Sequence, residues 1–503
     1  MLSIFAPTKY HTLIAGIIQQ EDRLEELVRI VDYLEERPIP SATSIVIKED
    51  AIWPVVDWYN VQPPYLLPEN IELNASNLLG LIFAYLENYE KAHAHLYQNN
   101  PGLYLEIDNV NRLKQGVAID PEQLASHYTP FEEYRLMHNQ AVVRHYAAFA
   151  KHFDANKAKY FYLEAFQCAP NEEYQAFTAN QFAQLLTDTE EVADAERLLQ
   201  AMLHKSISAE AATALKQTLC QAWMAQLVVP YDQELLELLK ANLWDILQAY
   251  EQQERLRDQA LVLIDAGIIA NYSESWSESL GYFNKALAIF EAEGLPEMAA
   301  HVHYRKGTLL FTWAQKGNPQ FYRPAAQSYQ AAVRVFTQLA APEVYAEIQH
   351  HLGMIYAEIP DEIKKKSIWA AVSSAAFQEA LQFYTKEQYP YEYAAVCNHY
   401  GNALSKYPAA KLSDNLEKAL YYYQEALAVR TAAALPLERS LTLLNYLEAQ
   451  WYLGMPEDRF EEDRYQDMLT KAREVLAISP DTNLKKEAER HLEELDKLRA
   501  VYA

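Results

Sequence analysis

Histidine and cysteine are the residue types in this chain most able to do chemistry. Three histidine pairs stand close in sequence: His93/His95, His301/His303 and His350/His351. On a helix, residues one or two apart point to different faces. None of these pairs has the i, i+4 spacing with a third ligand that a metal site needs. They read as solvated or core histidines, and no metal is expected. Cys397 and His399 are close enough in sequence to suggest a thiol–imidazole dyad. Cys397 falls at a packing position, however, and apolar surroundings leave a thiol poorly reactive. The patterns HExxH, CxxC, GxxxxGK[ST] and GxGxxG are all absent. Acidic clusters such as EEDR, from Glu461 to Arg464, read as solvated faces. No catalytic residue and no cofactor is expected, and the chain reads as a non-enzyme.

Amides remain. Asn398 and Asn402 lie one helical turn apart, on one face. Each offers a donor and an acceptor, so a row of them can hold a peptide main chain without reading its sequence. The elements that would position such a row are repeated helices. An aromatic followed three residues later by alanine recurs as Phe283/Ala286, Tyr329/Ala332, Phe377/Ala380 and Tyr423/Ala426, in steps of 46, 48 and 46 residues. Leu469/Ala472 is a weaker fifth copy. Gly267, Gly307, Gly353 and Gly401 keep pace, each 16 to 24 residues before its aromatic. Such a unit is a pair of helices. The glycine allows close approach, and the aromatic fills the gap between neighbours. A pair cannot bury its face alone, so the copies must stack. Tyr423 in the run Tyr421–Tyr422–Tyr423 is therefore a packing residue, and the other two lie on other faces.

This pattern resembles the tetratricopeptide repeat (TPR). The stretch KAKYFYLEAFQCAPNE places Ala158, Tyr162, Ala165 and Pro170 at the family's intervals. NLLGLIFAYLENYEKAHAHL matches at Leu79, Gly80, Phe83, Ala92 and Leu96, and ADAERLLQAML (Ala193 to Leu203) is a looser copy. The resemblance covers roughly residues 72–100, 138–205 and 255–480. The later copies have a period near 47 rather than the usual 34 or so. In this they look like the long-repeat arrays that bacteria couple to caspase-like CHAT protease domains, although no unassigned segment could hold the protease. The resemblance implies an all-α, TPR-like superhelical solenoid of antiparallel helix pairs. It also implies that the residues three before and one after each glycine face a concave groove. Here these are Tyr304 and Thr308, His350 and Met354, Asn398 and Asn402. Asn445 and Ala449 fall at about the same place one repeat on, and Asn77 is the equivalent near the N-terminus. Arg305 could anchor an acidic group of a ligand. The function implied is a protein- or peptide-binding scaffold. A regulatory subunit of a separate, caspase-like enzyme and a peptide-signal receptor are the alternatives.

The rest of the chain frames this array. Residues 8–36 read as one or two helices, from the helical spacing of Leu24, Leu27, Val28, Val31 and Leu34, with Pro38 ending them. Residues 37–70 hold six of the 22 prolines, so they read as an extended segment with a β-prone run from Ser44 to Ile47. Trp53 and Trp58 in it should pack across neighbouring helices or grip a partner. The expected organisation is residues 1–70 as helices plus this segment and 71–205 as an N-terminal array with an irregular insertion near 101–137. A helical connector over 206–255, the long-period array over 256–480 and a capping helix over 481–503 complete it. Half of the 503 residues are hydrophobic, which makes a folded protein, and 12 glycines against 36 tyrosines favour helices over hairpins. A net charge of −26 excludes nucleic acid and anionic membrane surfaces as partners and suits a basic one. Cys168, Cys220 and Cys397 are far apart and odd in number, as in a reducing compartment. With neither a secretory leader nor an apolar run long enough to span a bilayer, a cytoplasmic location is expected.

Overall fold

The computed structural model describes residues 2–33, 44–58, 63–124, 129–147, 153–407, 414–454 and 460–502. The chain divides into two compact units, Met1–Gln253 and Glu254–Ala503.

The first unit opens on β1 (Leu2–Ala6), α1 (His11–Ile18), β2 (Val28–Asp32), β3 (Ser44–Lys48), β4 (Ala51–Pro54) and β5 (Ile71–Glu72). They form one five-stranded sheet in the order β2-β1-β3-β4-β5, with β1 parallel to both neighbours and the last three strands antiparallel. This corrects the helical reading of residues 24–34. The stretch VRIVD satisfies a helical spacing, but its β-branched residues suit a pleated strand. Pairing with the apolar β1 along its whole length decides the outcome. Leu34 and Pro38 lie outside the described residues. Alternation along the strands sends Leu2, Ile4, Ala6, Ile45, Ile47 and Ile52 into a core shared with Ile14 and Ile17 of α1. The β3–β4 turn puts Glu49 and Asp50 at φ 52° and 59°, the left-handed geometry that a two-residue hairpin requires. Tyr10 steadies it. Its hydroxyl donates to Asp50 Oδ1 at 2.8 Å and accepts from the Asp50 amide at 3.0 Å.

Helices follow: α2 (Ala75–Tyr85), α3 (Tyr89–Leu96), α4 (Pro101–Lys114), α5 (Pro130–Tyr146), α6 (Ala155–Cys168), α7 (Glu172–Asp188), α8 (Val192–Leu203), α9 (Ala209–Ala225) and α10 (Gln233–Gln252). Within the expected insertion, α4 packs against α3. The expected connector is a further pair, α9/α10, in series with α7/α8. It carries no glycine–aromatic signature, and buries Ala211, Leu215, Leu236, Leu239 and Leu243 instead.

The second unit is helical throughout its described residues: α11 (Leu256–Tyr272), α12 (Trp276–Ala292), α13 (Pro296–Gln315), α14 (Tyr322–Val333), α15 (Pro342–Glu358), α16 (Ile363–Phe383), α17 (Pro390–Lys406), α18 (Asn415–Val429), α19 (Pro436–Leu453), α20 (Glu462–Ile478) and α21 (Thr482–Tyr502). Each odd-numbered helix pairs with the next, and α21 packs back on α19 and α20. The pairs share one packing scheme. A Cβ added at Gly267, Gly307, Gly353 or Gly401 would lie 2.6–2.9 Å from the ring of Phe283, Tyr329, Phe377 or Tyr423 respectively. No side chain fits there. The residue four before each aromatic is also small. Ala325 and Ala419 are fully buried, and the hydroxyls of Ser279 and Ser373 donate to the carbonyls of Gly267 and Gly353 at 2.7 and 2.6 Å. In the fifth pair the first helix, α19, carries no glycine, and Met468 and Ala472 are buried while Leu469 is only half-buried.

Candidate functional site

First helices of successive pairs touch within each unit: α5 meets α7 and α7 meets α9, while α11 meets α13 and α15, α17 and α19 meet in turn. Tyr304, His350 and Asn398, three before Gly307, Gly353 and Gly401, sit at these junctions, as does Asn445. Tyr304 donates to Glu347 Oε1 on the next first helix at 2.5 Å. His350 Nε2 meets His399 Nδ1 at 2.8 Å. Asn445 Nδ2 donates to Asn398 Oδ1 at 3.2 Å. The three contacts form one polar row across α13, α15, α17 and α19.

The residues one after the glycines are placed differently. Thr308 Oγ1 contacts the Tyr329 hydroxyl at 2.8 Å, and Asn402 accepts from the Tyr423 hydroxyl at 2.8 Å. Both anchor the packing tyrosines. Met354 is half-buried against two neighbouring apolar clusters, and Ala449 is fully buried. Arg305 donates from Nε to His301 Nε2 at 3.2 Å and lies 5.5 Å from the Tyr304 ring centre. Tyr423 is buried as expected, Tyr421 is exposed, and Tyr422 covers Tyr400 with ring centres 4.4 Å apart.

Burial sets the protonation of the row. It pushes His399 and His351 down to about 4 and His350 well below its ordinary value, where the neighbouring His399 adds to the effect. It raises the Tyr304 phenol, helped by Glu347, and lifts the Asp265 carboxyl to about 7 against the pull of Arg305. A histidine whose folded value is depressed binds protons more readily unfolded. Its contribution to stability is complete above about 6.5 and is lost as pH falls towards 4. Asp265 has the opposite sign in the same window, because its folded carboxyl holds a proton that the unfolded one has lost. Urea midpoints at pH 7.5, 6 and 5 for wild type and His399→Gln separate the two. The wild type should lose stability faster on acidification, by about 1.4 kcal/mol per pH unit for each histidine still neutral in the fold. An equal slope in the variant would show that His399 does not carry the effect.

In the first unit the equivalent positions hold main chain. Ala141 of α5 takes the place of the glycine. His145, four residues on, contacts the Tyr162 hydroxyl at 3.2 Å as Ser405 contacts that of Tyr423. His138, three before Ala141, has its ring 6.3 Å from Tyr162, as Tyr304 lies 5.8 Å from Tyr329 and His350 6.1 Å from Phe377. His138 Nε2 donates to the Pro64 carbonyl at 2.8 Å, while its Nδ1 meets the Thr178 hydroxyl at 2.9 Å. Asn139 accepts from the Leu66 amide at 2.8 Å and donates to the Leu66 carbonyl at 2.9 Å. Trp58 Nε1 donates to Glu173 Oε1 of α7 at 2.7 Å, and its ring edge meets Phe177 at 5.2 Å. So Trp58 packs across helices. Trp53, on β4, donates to the Lys48 carbonyl. Asn77 of α2 donates to the Glu72 carbonyl at 2.9 Å and accepts from Asn100 at 3.0 Å. His138 and Asn139 were not singled out in the sequence because α5 has no glycine to align it. The buried Ala141 is the only signal of its register.

Cys397 and His399 form no dyad. Burial pushes the thiol up to about 12, and His399 turns to His350. Cys168, Cys220 and Cys397 form no disulfide among the described residues. Among the described residues no group of three or more His, Cys, Asp and Glu side chains could hold a metal, and no helix is long and apolar enough to cross a membrane. No protein-family profile matches the chain, and no curated protein sequence does. Several solved helical-repeat structures are similar to it. The C-terminal part of a TPR repeat-containing protein from Cytophaga hutchinsonii is 12% identical over 61% of this chain and 98% of its own, at TM-score 0.37. Yeast Tom70 is 11% identical over 85% and 83%, at TM-score 0.36. A signal transduction ATPase with a tetratricopeptide repeat sensor from Pyrococcus horikoshii is 13% identical over 85% and 55%, at TM-score 0.39. The repeat architecture of this chain rests on its own helix pairing and glycine–aromatic contacts.

Proposed function

We propose that residues 254–503 form a non-enzymatic scaffold that binds a protein or peptide along the inner face of its first helices. The observation that carries this reading is the polar row from Tyr304 through His350 to Asn398 and Asn445. Its members are held by one another at 2.5–3.2 Å, so they are ordered before a ligand arrives, which lowers the entropic cost of binding. Asn398 and Asn445 would take the ligand main chain. Arg305 and Glu347 would read its charged side chains, and Met354 its apolar ones. Thr308 and Asn402 would keep the underlying tyrosines in place. The net charge of −26 favours a basic ligand, and the absence of disulfides among the described residues fits a reducing, cytoplasmic setting. A subunit that controls a separate enzyme would use the same surface, and the identity of the captured protein distinguishes the two roles.

The test is affinity capture with wild type and with Asn398→Ala/Asn445→Ala, both shown to fold by circular dichroism. A protein held by the wild type should be lost by the variant, and its binding segment should bind the variant at least tenfold more weakly. Recovery of the same proteins by both chains would refute the inner-face site.

A further inference from the structure

The inner face of α5 and α7 already has an occupant, the segment Pro63–Pro68 (PPYLLP). It is held as a bound peptide would be. Its main chain is read by side chains at Pro64 and twice at Leu66, through His138 and Asn139, and Arg135 reaches the Leu66 carbonyl at 3.3 Å. Contacts of this kind accept any extended sequence. Its side chains add selectivity. Tyr65 and Leu66 are buried, and the Tyr65 hydroxyl donates to Glu106 Oε2 at 2.6 Å and accepts from Asn109 at 3.2 Å. The segment fills its seat incompletely. A cavity of about 70 Å³ remains between it and the helices, walled by Pro64, Leu67, Tyr85, Phe131 and Phe177. A cleft of about 460 Å³ is bounded by Tyr65 and Pro68 of the segment and by Asn100, Glu106, Glu132 and Arg135.

We propose that this face of the first unit is a second peptide-binding site, that residues 63–68 occupy it as an internal ligand, and that a partner segment of the same chemistry displaces them. That chemistry is a short stretch that turns at a proline, where the Tyr65 amide donates to the Pro63 carbonyl at 2.7 Å, and presents adjacent tyrosine and leucine flanked by prolines. The chain thereby competes with its own partner. The partner's apparent affinity is reduced by the fraction of time the internal segment is seated, and a partner that fills the remaining cavity gains over it. This site is independent of the row in residues 254–503, so either proposal can fail alone.

The test uses the full chain and a fluorescently labelled peptide of residues 63–70, PPYLLPEN, read by anisotropy. Tyr65→Ala/Leu66→Ala empties the side-chain pockets. Pro63→Gly/Pro68→Gly loosens the segment while keeping those side chains, and serves if the first variant does not fold. A folded loosened chain should bind the peptide at least tenfold more tightly than wild type, and adding Asn139→Ala should abolish the gain. Equal binding by wild type and loosened chains, or a gain that survives Asn139→Ala, would overturn the site. No binding by any folded loosened chain would show that the segment is a permanent part of the fold.

Discussion

Phe377→Ala should lower the stability of the second unit by about 3–5 kcal/mol, the range for removing a buried aromatic ring. Phe377 is fully buried. Its ring lies where a Gly353 Cβ would be, stacks on Tyr400 at 4.9 Å and touches His350 at 6.1 Å. It therefore joins α15, α16 and α17. Alanine would leave a void that rigid helices on three sides cannot close. Stacked repeats interact with their nearest neighbours, so the damage should be local. In hydrogen exchange α15–α17 should lose protection first and α11–α12 should keep theirs. Urea denaturation gives the size of the effect. A loss below 1 kcal/mol, or uniform loss of protection, would contradict the assignment of this ring as the keystone of its repeat. The converse change, Gly353→Ala, drives a methyl against the same ring and should cost about 1–3 kcal/mol.

Arg135→Met should cost the first unit a similar amount, for an electrostatic reason. The Arg135 side chain is 5% exposed and lies 2.9 Å from Glu106 and 2.8 Å from Glu132. Methionine preserves volume but leaves carboxylates with no counter-charge, and Glu132 is itself 9% exposed. Breaking a buried pair from one side costs about 3–5 kcal/mol, whereas replacing all partners together can be nearly neutral. Arg135→Met/Glu106→Gln/Glu132→Gln should therefore recover most of the loss. If the triple variant is no more stable than the single one, the loss comes instead from the missing bond to Leu66. Trp58 fluorescence would report that, since Trp58 packs on Phe177 beside His138, the neighbour of the Asn139 that holds Leu66.

The repeats were legible because their physics leaves a local mark. A residue with no side chain opposite a ring has to be glycine, so Gly267, Gly307, Gly353 and Gly401 display the packing directly in the sequence. Of the sheet only β3 was legible, from the β-prone run Ser44 to Ile47. Val28 and Val31 satisfy both a helical spacing and a strand, and only the partner β1, more than twenty residues away, decides between them. The expected inner-face positions come from counting from the glycines, which needs a glycine to count from. In α5 an alanine does the same work, and alanine is too common to mark a register. Pairing across repeats was also beyond reach. That Asn398 faces Asn445, and His350 faces His399, depends on the stagger of successive helices.

The polar row has a mechanical consequence. Each of its bonds joins one repeat to the next on the inner side of the stack, so together they set the angle between repeats. A ligand that takes the Asn398 carbonyl for itself must first release Asn445, and the two helices are then free to change their stagger. Curvature and occupancy thus become linked variables. If binding at the proposed surface shifts that stagger, then by reciprocity anything that bends the stack from outside would change how tightly the ligand is held. This surface would behave as a strain gauge as well as a grip.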